Sequence, residues 1–184
     1  MRGGPILTVG HSDRPLDDFL DLLTAMGAAG VADVRSHPAS RRFPWFTAEP
    51  LAEALAAAGI AYKAFGRSLG GRRSLPDSGV HPALEPRWRP YAEHMGTAVF
   101  RDGMSSLLAW EATLPGPVAL LCAERDPDHC HRRLVADWLV AVAARPVVHW
   151  LDRGTQRPHA LHPALRVTGD GLRYDRFTSA ELPW

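Results

Sequence analysis

Short apolar runs alternate along the chain with longer segments in which apolar residues recur every three or four positions. The apolar runs predict five β-strands, at 5–9, 30–34, 60–65, 117–122 and 146–151. The segments with helical spacing predict α-helices at 15–27, 47–59, 90–113 and 128–144. The run at 117–122, PVALLC, is apolar at every position, which is typical of a strand buried on both faces of a sheet.

This alternation of strands and helices predicts an α/β fold. Consecutive strand–helix–strand units build a mainly parallel sheet, because each crossover brings the chain back in the same direction. We therefore expect one three-layer, Rossmann-like domain over 1–184, with about five strands and helices on both faces of the sheet. The segment 66–88, rich in Gly, Arg, Pro and Ser, is predicted to be a loop, and the tail 152–184 to be irregular or a hairpin.

The composition is that of a globular protein, since 46% of the 184 residues are hydrophobic and 22% are charged. The net charge of +1 gives no overall attraction to nucleic acid. No apolar run approaches the ~20 residues needed to cross a bilayer, and the first residues lack the features of a signal peptide. With two cysteines in such a chain, we expect a cytoplasmic protein whose thiols are reduced and which has no membrane partner.

Polar residues able to do chemistry stand at the ends of three predicted strands. His11 and Ser12 follow the first strand. Asp33 and Arg35 mark the end of the second, and Glu124 follows the fourth. Each cluster alone is also typical of a solvated loop between a strand and a helix. Because the carboxyl ends of parallel strands meet at one edge of the sheet, where ligands bind in such folds, the three clusters together predict a site at this edge.

Four motifs, in this order along the chain, resemble a domain-of-unknown-function family, number 488. They are TVGHS at 8–12, DVR at 33–35 with a following HPAS, LGG at 69–71, and LLCAE with CHR at 120–132. The resemblance covers about 6–151, leaves the tail 152–184 outside, and implies a compact α/β domain with no generally assigned reaction. The positions that match the family motifs are His11, Ser12, Asp33, Arg35, Gly70, Gly71, Cys122, Glu124, Cys130, His131 and Arg132.

The segment CAERDPDHCHRRL, 122–134, raises the question of a metal or thiol site. Cys122, Cys130 and the two histidines beside Cys130 are possible zinc ligands, but the two cysteines lack the close spacing of a zinc pair. Adjacent residues of the predicted helix also point about 100° apart. We therefore predict no metal and no cofactor. A thiol or metal-dependent enzyme that uses both cysteines stays as an alternative, although acids near Cys122 disfavour its thiolate and core packing is the simpler interpretation.

Anion binding fits the same edge of the sheet better. His131 and Arg132 fall in the first turn of the helix predicted at 128–144, where free backbone N–H groups attract anions. Arg35 offers a planar fork that matches a phosphate or a carboxylate, and Ser12 lies near the start of the first helix. The glycine-rich, basic stretch GRSLGGRR, 66–73, which contains Gly70 and Gly71, is a candidate lid, a mobile loop or a dimer interface.

These observations predict an enzyme, a hydrolase or group transferase, that acts on a phosphorylated or nucleotide-like anion. The predicted catalytic residues are His11, Asp33 and Glu124, and the predicted substrate-binding residues are Ser12, Arg35, Gly70, Gly71, His131 and Arg132. Alternatively, Glu124 only orders the site through a salt bridge to Arg35 or Arg132. A further alternative is a non-catalytic module that binds nucleic acid through Arg41, Arg42, Arg72 and Arg73, with aromatic residues at 43–46 stacking on bases.

Overall fold

The computed structural model describes residues 4–177, and its main feature is a six-stranded sheet with the strand order β3-β2-β4-β1-β5-β6. The first five strands along the chain are parallel to their neighbours, and β6 pairs antiparallel with β5 at one edge. The strands are β1 Ile6–Gly10, β2 Gly30–Asp33, β3 Ala61–Ala64, β4 Val118–Cys122, β5 Val147–Asp152 and β6 Thr155–Pro158. A separate antiparallel hairpin consists of β7 Leu165–Thr168 and β8 Gly171–Tyr174.

Helices cover both faces of this sheet, which confirms the predicted three-layer α/β fold. The helices are α1 Leu16–Ala25, α2 Ala48–Ala57, α3 Gly66–Leu69, α4 Arg89–Met95, α5 Ala98–Glu111 and α6 Arg132–Ala141. One core lies between the sheet and α1 and α2, and a second lies between the sheet and α3 to α6. Strand β4 contributes alternately to both, with Leu120 in one core and Leu121 in the other. Among the described residues, no helix has the length and apolar character to cross a membrane.

The order of the strands places a crevice at the carboxyl ends of β1, β2 and β4. The chain leaves β1 and β2 towards the face that carries α1 and α2, but it leaves β4 towards the face that carries α6. Since β4 lies between β1 and β2, neighbouring strands send their connections to opposite sides of the sheet. Such a switch point is where open α/β sheets bind ligands.

Two predicted helices differ from the observed ones because their sequences carry breaks. The segment 90–113 is divided at Gly96, and Thr97 caps the second helix by accepting a hydrogen bond from the backbone N–H of Phe100. The helix predicted at 128–144 begins only at Arg132, because Pro127 starts a separate 3-10 turn at Pro127–His129. The prediction that Cys130 lies in the first helical turn is therefore wrong.

The tail is ordered as far as the structure describes it, and a buried polar cluster fastens it to α6. In the tail, β6 extends the main sheet and the β7–β8 hairpin packs on the core that contains α6. Asp137 of α6 accepts hydrogen bonds from the hydroxyl of Tyr174 at 3.0 Å, from the backbone N–H of His162 at 3.0 Å, and from Nε2 of His159 at 2.9 Å. The part of the predicted tail at 178–184 lies outside the described residues.

Candidate functional site

A cleft of about 260 Å³ opens at the carboxyl ends of β2 and β4. Its walls come from the loops that follow these strands, from the glycine-rich stretch after α3, and from the segment that leads into α6. The lining residues are Arg35, Ser36, His37, Gly71, Arg72, Trp88, Cys122, Ala123, Glu124, His129, Cys130 and His131. The predicted sheet edge therefore does bring Arg35, Glu124 and His131 to one cavity, as expected from the strand ends.

Arg35 is fixed in the cleft wall by a network of buried hydrogen bonds. Its Nε and Nη2 atoms donate to the two carboxylate oxygens of Asp33, at 2.9 and 2.6 Å. Its Nη1 atom donates to the carbonyl oxygen of Phe46 at 2.7 Å and faces Nε2 of His11 at 3.3 Å. The hydroxyl of Tyr62 donates to Asp33 at 2.8 Å. Four of the five guanidinium N–H groups are engaged in these contacts, so the fork expected for a phosphate is already used on Asp33.

His11 supports Arg35 from behind and does not line the cleft. Its Nδ1 donates to the carbonyl oxygen of Ser12 at 2.8 Å, and its ring stacks on Phe46 with 4.2 Å between the ring centres. Burial lowers the pKa of His11 to about 4, so the ring is neutral at neutral pH and Nε2 can accept from Arg35. Both ring nitrogens of His11 are therefore engaged. His11 and Asp33 were predicted to contact a substrate, but in the structure both contact Arg35.

Two thiols and an imidazole meet at the buried end of the cleft. Nδ1 of His131 lies 3.8 Å from Sγ of Cys122 and 3.7 Å from Sγ of Cys130. The hydrogen bond with Cys130, together with burial, raises the pKa of the Cys122 thiol. Burial also acts to raise the pKa of Cys130, but the hydrogen bond from Cys122, the Arg132 guanidinium and His131 outweigh it and hold that pKa well below its usual range. Both cysteines are free of disulfides and buried, as predicted.

Arg132 lies behind these thiols and does not line the cleft. Its side chain is only 1% exposed, and its Nε donates to Sγ of Cys130 at 3.3 Å. Its Nη2 donates to the main-chain carbonyl oxygen of Glu124. The contacts of Arg132 therefore hold Cys130 and the loop that carries Glu124 in place. Arg132 was predicted to contact an anion instead.

Two glycines explain why the walls of the cleft can come so close together. A Cβ atom on Gly71 would lie 2.5 Å from Nδ1 of His131, so only glycine leaves room for the imidazole ring. A Cβ atom on Gly70 would lie 2.5 Å from Oγ of Ser36 and 2.4 Å from a backbone carbonyl oxygen. The two glycines of the LGG motif thus let the walls of the cleft pack closely. The interpretations of this stretch as a lid or a mobile loop did not include this structural role.

Two charged groups of the cleft lining, the Glu124 carboxylate and the Arg72 guanidinium, have no ion-pair partner among residues 4–177, and the Trp88 ring carries the Arg87 guanidinium 4.9 Å from its centre. The Glu124 side chain is exposed, and within residues 4–177 no arginine lies in salt-bridge distance of it. The alternative in which it pairs with Arg35 or Arg132 is therefore wrong. Arg72 is exposed and is held to the wall through its backbone N–H, which donates to Oγ of Ser36 at 2.9 Å.

Other predicted residues lie away from the cleft. The Ser12 hydroxyl donates to Asp13 at 3.2 Å, and α1 begins only at Leu16, so Ser12 is not at its N-terminus. Phe46 is fully buried beneath His11 and has no face left for a base.

Arg72 is predicted from the sequence only as a contact to nucleic acid, and Trp88 is not predicted at the site. Ser36 and His37 follow Arg35 in the polar cluster at the end of β2, where the strand-end rule predicts a site. Trp88 comes from a distant 3-10 turn at Pro86–Trp88, which no local signal connects to this edge.

Comparisons with known proteins identify a family and nothing more specific. No curated protein and no solved structure matches the chain. One family model matches residues 15–139, which is more than half of the chain and includes β2, β4 and most residues of the cleft. Its description is "Domain of unknown function DUF488". The chain therefore belongs to the DUF488 family.

Proposed function

We propose that this protein is a hydrolase or group transferase whose substrate is a small, nucleotide-like anion bound in the cleft at the ends of β2 and β4. The observation that carries the proposal is the lining of this cleft. One free carboxylate, Glu124, stands among an unpaired arginine, Arg72, several imidazoles and the indole of Trp88. A site of this kind favours a ligand that has both negative charge and a flat ring.

The positive charge available to a ligand comes mainly from Arg72. In the described part of the chain, no acidic side chain lies within ion-pair distance of Arg72, whereas Asp33 neutralises Arg35. Arg35 forms a rigid part of the cleft wall, since its guanidinium is held by Asp33, Phe46 and His11. In this proposal His11 and Asp33 are positioning residues, because they act on the substrate only through Arg35.

Glu124 is the reacting group in this proposal. Its side chain is exposed at the cleft and has no salt-bridge partner within residues 4–177, so the carboxylate is free to take a proton from water or to attack an electrophilic carbon. The loop that carries it is well fixed. Arg132 donates to its carbonyl oxygen, and Gly10 of β1 approaches that oxygen so closely that a Cβ there would lie 1.8 Å away.

The test combines binding with turnover. Calorimetry would use inorganic phosphate, AMP, ADP and a short single-stranded DNA, and chromatography would follow the cleavage of each. We expect Arg72→Ala to weaken nucleotide binding about tenfold, because it removes a charge-assisted contact. We expect Glu124→Gln to retain binding and to lose about 100-fold or more in turnover.

Matched controls separate the cleft from the rest of the surface. Arg101→Ala and Glu49→Gln remove an exposed arginine and an exposed glutamate outside the cleft, and both should behave like the unchanged protein. The proposal fails if no nucleotide binds, or if Arg72→Ala and Arg101→Ala have the same effect. Binding of the DNA alone, insensitive to Glu124→Gln, would instead support the nucleic-acid module.

A further inference from the structure

We propose that Cys122, Cys130 and His131 form a binding site for a zinc ion, with the fourth coordination position open to the cleft. Their three ligand atoms all lie within 4.8 Å of one another, and all three residues line the cleft. This inference rests on the ligand atoms alone and does not depend on the proposed substrate.

The distances fit a tetrahedral ion closely. Zinc binds a thiolate at about 2.3 Å and an imidazole nitrogen at about 2.0 Å, so a sulfur and a nitrogen on one tetrahedral zinc are about 3.5 Å apart. In the structure the two S···Nδ1 distances at His131 are 3.8 and 3.7 Å. A contraction of a few tenths of an ångström brings Nδ1 to the distance from each sulfur that zinc requires, and the two sulfurs lie within 4.8 Å of each other.

One of the two reasons for predicting no metal, the divergence of neighbouring side chains on a helix, does not apply because these residues are not helical. We had predicted that Cys130 and His131 stand on a helix, where neighbouring side chains diverge. Cys130 instead has an extended backbone, with φ −136° and ψ 144°, and His131 precedes the first residue of α6. This change of backbone direction lets two adjacent side chains face the same point as Cys122 at the end of β4.

The charge distribution also favours a thiolate pair at this point. Arg132 is buried, and among residues 4–177 no carboxylate lies within ion-pair distance of its guanidinium. A buried cation requires a compensating negative charge. The sulfur of Cys130, which accepts the Nε–H of Arg132 at 3.3 Å, can supply it. In a zinc site, the hydrogen bond that Arg132 donates to Cys130 would orient this thiolate ligand.

Soft thiolates and one imidazole select zinc over magnesium or calcium, which prefer oxygen ligands. Three protein ligands and one open position are the arrangement of catalytic zinc sites, while structural sites use four protein ligands. Binding would require both sulfurs as thiolates, so each thiol proton still present is released to solvent when zinc binds. Glu124 lines the same cleft, on the loop that follows Cys122.

The experiment measures metal content and coordination on the intact chain. After purification with a reductant and dialysis against excess zinc, elemental analysis should find about one zinc ion per chain. Cobalt in place of zinc should give the intense visible bands of a tetrahedral ion and a thiolate-to-cobalt charge-transfer band. Cys122→Ser and Cys130→Ser should each weaken zinc binding by at least about tenfold and remove the charge-transfer band in part.

Arg101→Ala is the control, because Arg101 is exposed and lies outside both the cleft and the cluster. It should bind zinc like the unchanged chain. A titration of thiols on the unchanged chain keeps the test valid if the serine variants fail to fold: zinc should protect both thiols, and a chelator should expose them. Two freely reacting thiols in the presence of zinc would overturn the site, as would a mass that shows a disulfide. Zinc binding without any nucleotide binding would leave this site intact and refute only the proposed function.

Discussion

Replacing His11 by asparagine should remove a specific part of the acid sensitivity of this protein. Burial lowers the pKa of His11 from 6.5 to about 4 in the folded chain. The unfolded chain therefore binds a proton more tightly than the folded chain. The neutral ring makes its full contribution to the free energy of unfolding above pH 6.5. This contribution is lost as the pH falls from 6.5 towards 4. Between about pH 7 and about pH 5 the loss amounts to about 2 kcal/mol for this one group.

The assay is urea unfolding, followed by tryptophan fluorescence at both pH values. His11→Asn lowers stability at each pH, but its loss between the two pH values should be about 2 kcal/mol smaller than that of the unchanged chain. His149, whose pKa burial lowers to about 3, contributes equally to both proteins and cancels in the comparison. Ser105→Ala, at an exposed position of α5, changes no titratable group, serves as the control and should leave the pH dependence unchanged. Equal losses in His11→Asn and in the unchanged chain would refute the assigned burial of a neutral imidazole.

Three further substitutions probe contacts around the cleft and the tail. Arg35→Lys keeps the charge but cannot reproduce the two-pronged contact with Asp33, so urea unfolding should show a loss of about 3 kcal/mol; a change near zero would contradict the buried pair. Gly71→Ala forces the ring of His131 to move, so thermal unfolding should show a loss of about 1–3 kcal/mol in stability, and zinc binding should weaken. An unchanged melting temperature would contradict the close contact. Tyr174→Phe removes one of the hydrogen bonds to the buried Asp137 carboxylate, so urea unfolding should show a loss of about 1–3 kcal/mol in stability. An unchanged stability would mean that water replaces the hydroxyl.

The strands and the position of the site followed from the sequence because both depend on local patterns. Apolar runs predicted the five parallel strands, and the rule that ligands bind at the carboxyl ends of strands predicted one shared edge for Arg35 and Glu124, which line the same cleft. The pair between Asp33 and Arg35 could have been predicted too, since residues two apart at a strand end point to the same side.

Contacts between distant segments could not be predicted in this way. The requirement for glycine at 71 arises from His131, which lies far along the chain and is brought there by the sheet order. The meeting of Cys122 with Cys130 depends on where α6 begins, and the 3-10 turn at Pro127–His129 delays that start. A periodic apolar pattern locates a helix well, but it defines the first turn poorly because the terminal residues are polar in either conformation.

The anchoring of Asp137 has a consequence for where this protein can be cut. Asp137 falls inside the stretch that the DUF488 model matches, 15–139, yet its hydrogen-bond donors in the described part of the chain all come from 159–174. A chain truncated after 151 would leave a buried carboxylate without any of these donors and would expose the apolar surface now covered by the hairpin. The match to the family model thus ends before the residues that satisfy this buried carboxylate, and a chain cut after 151 should unfold at a lower urea concentration than the chain that keeps them.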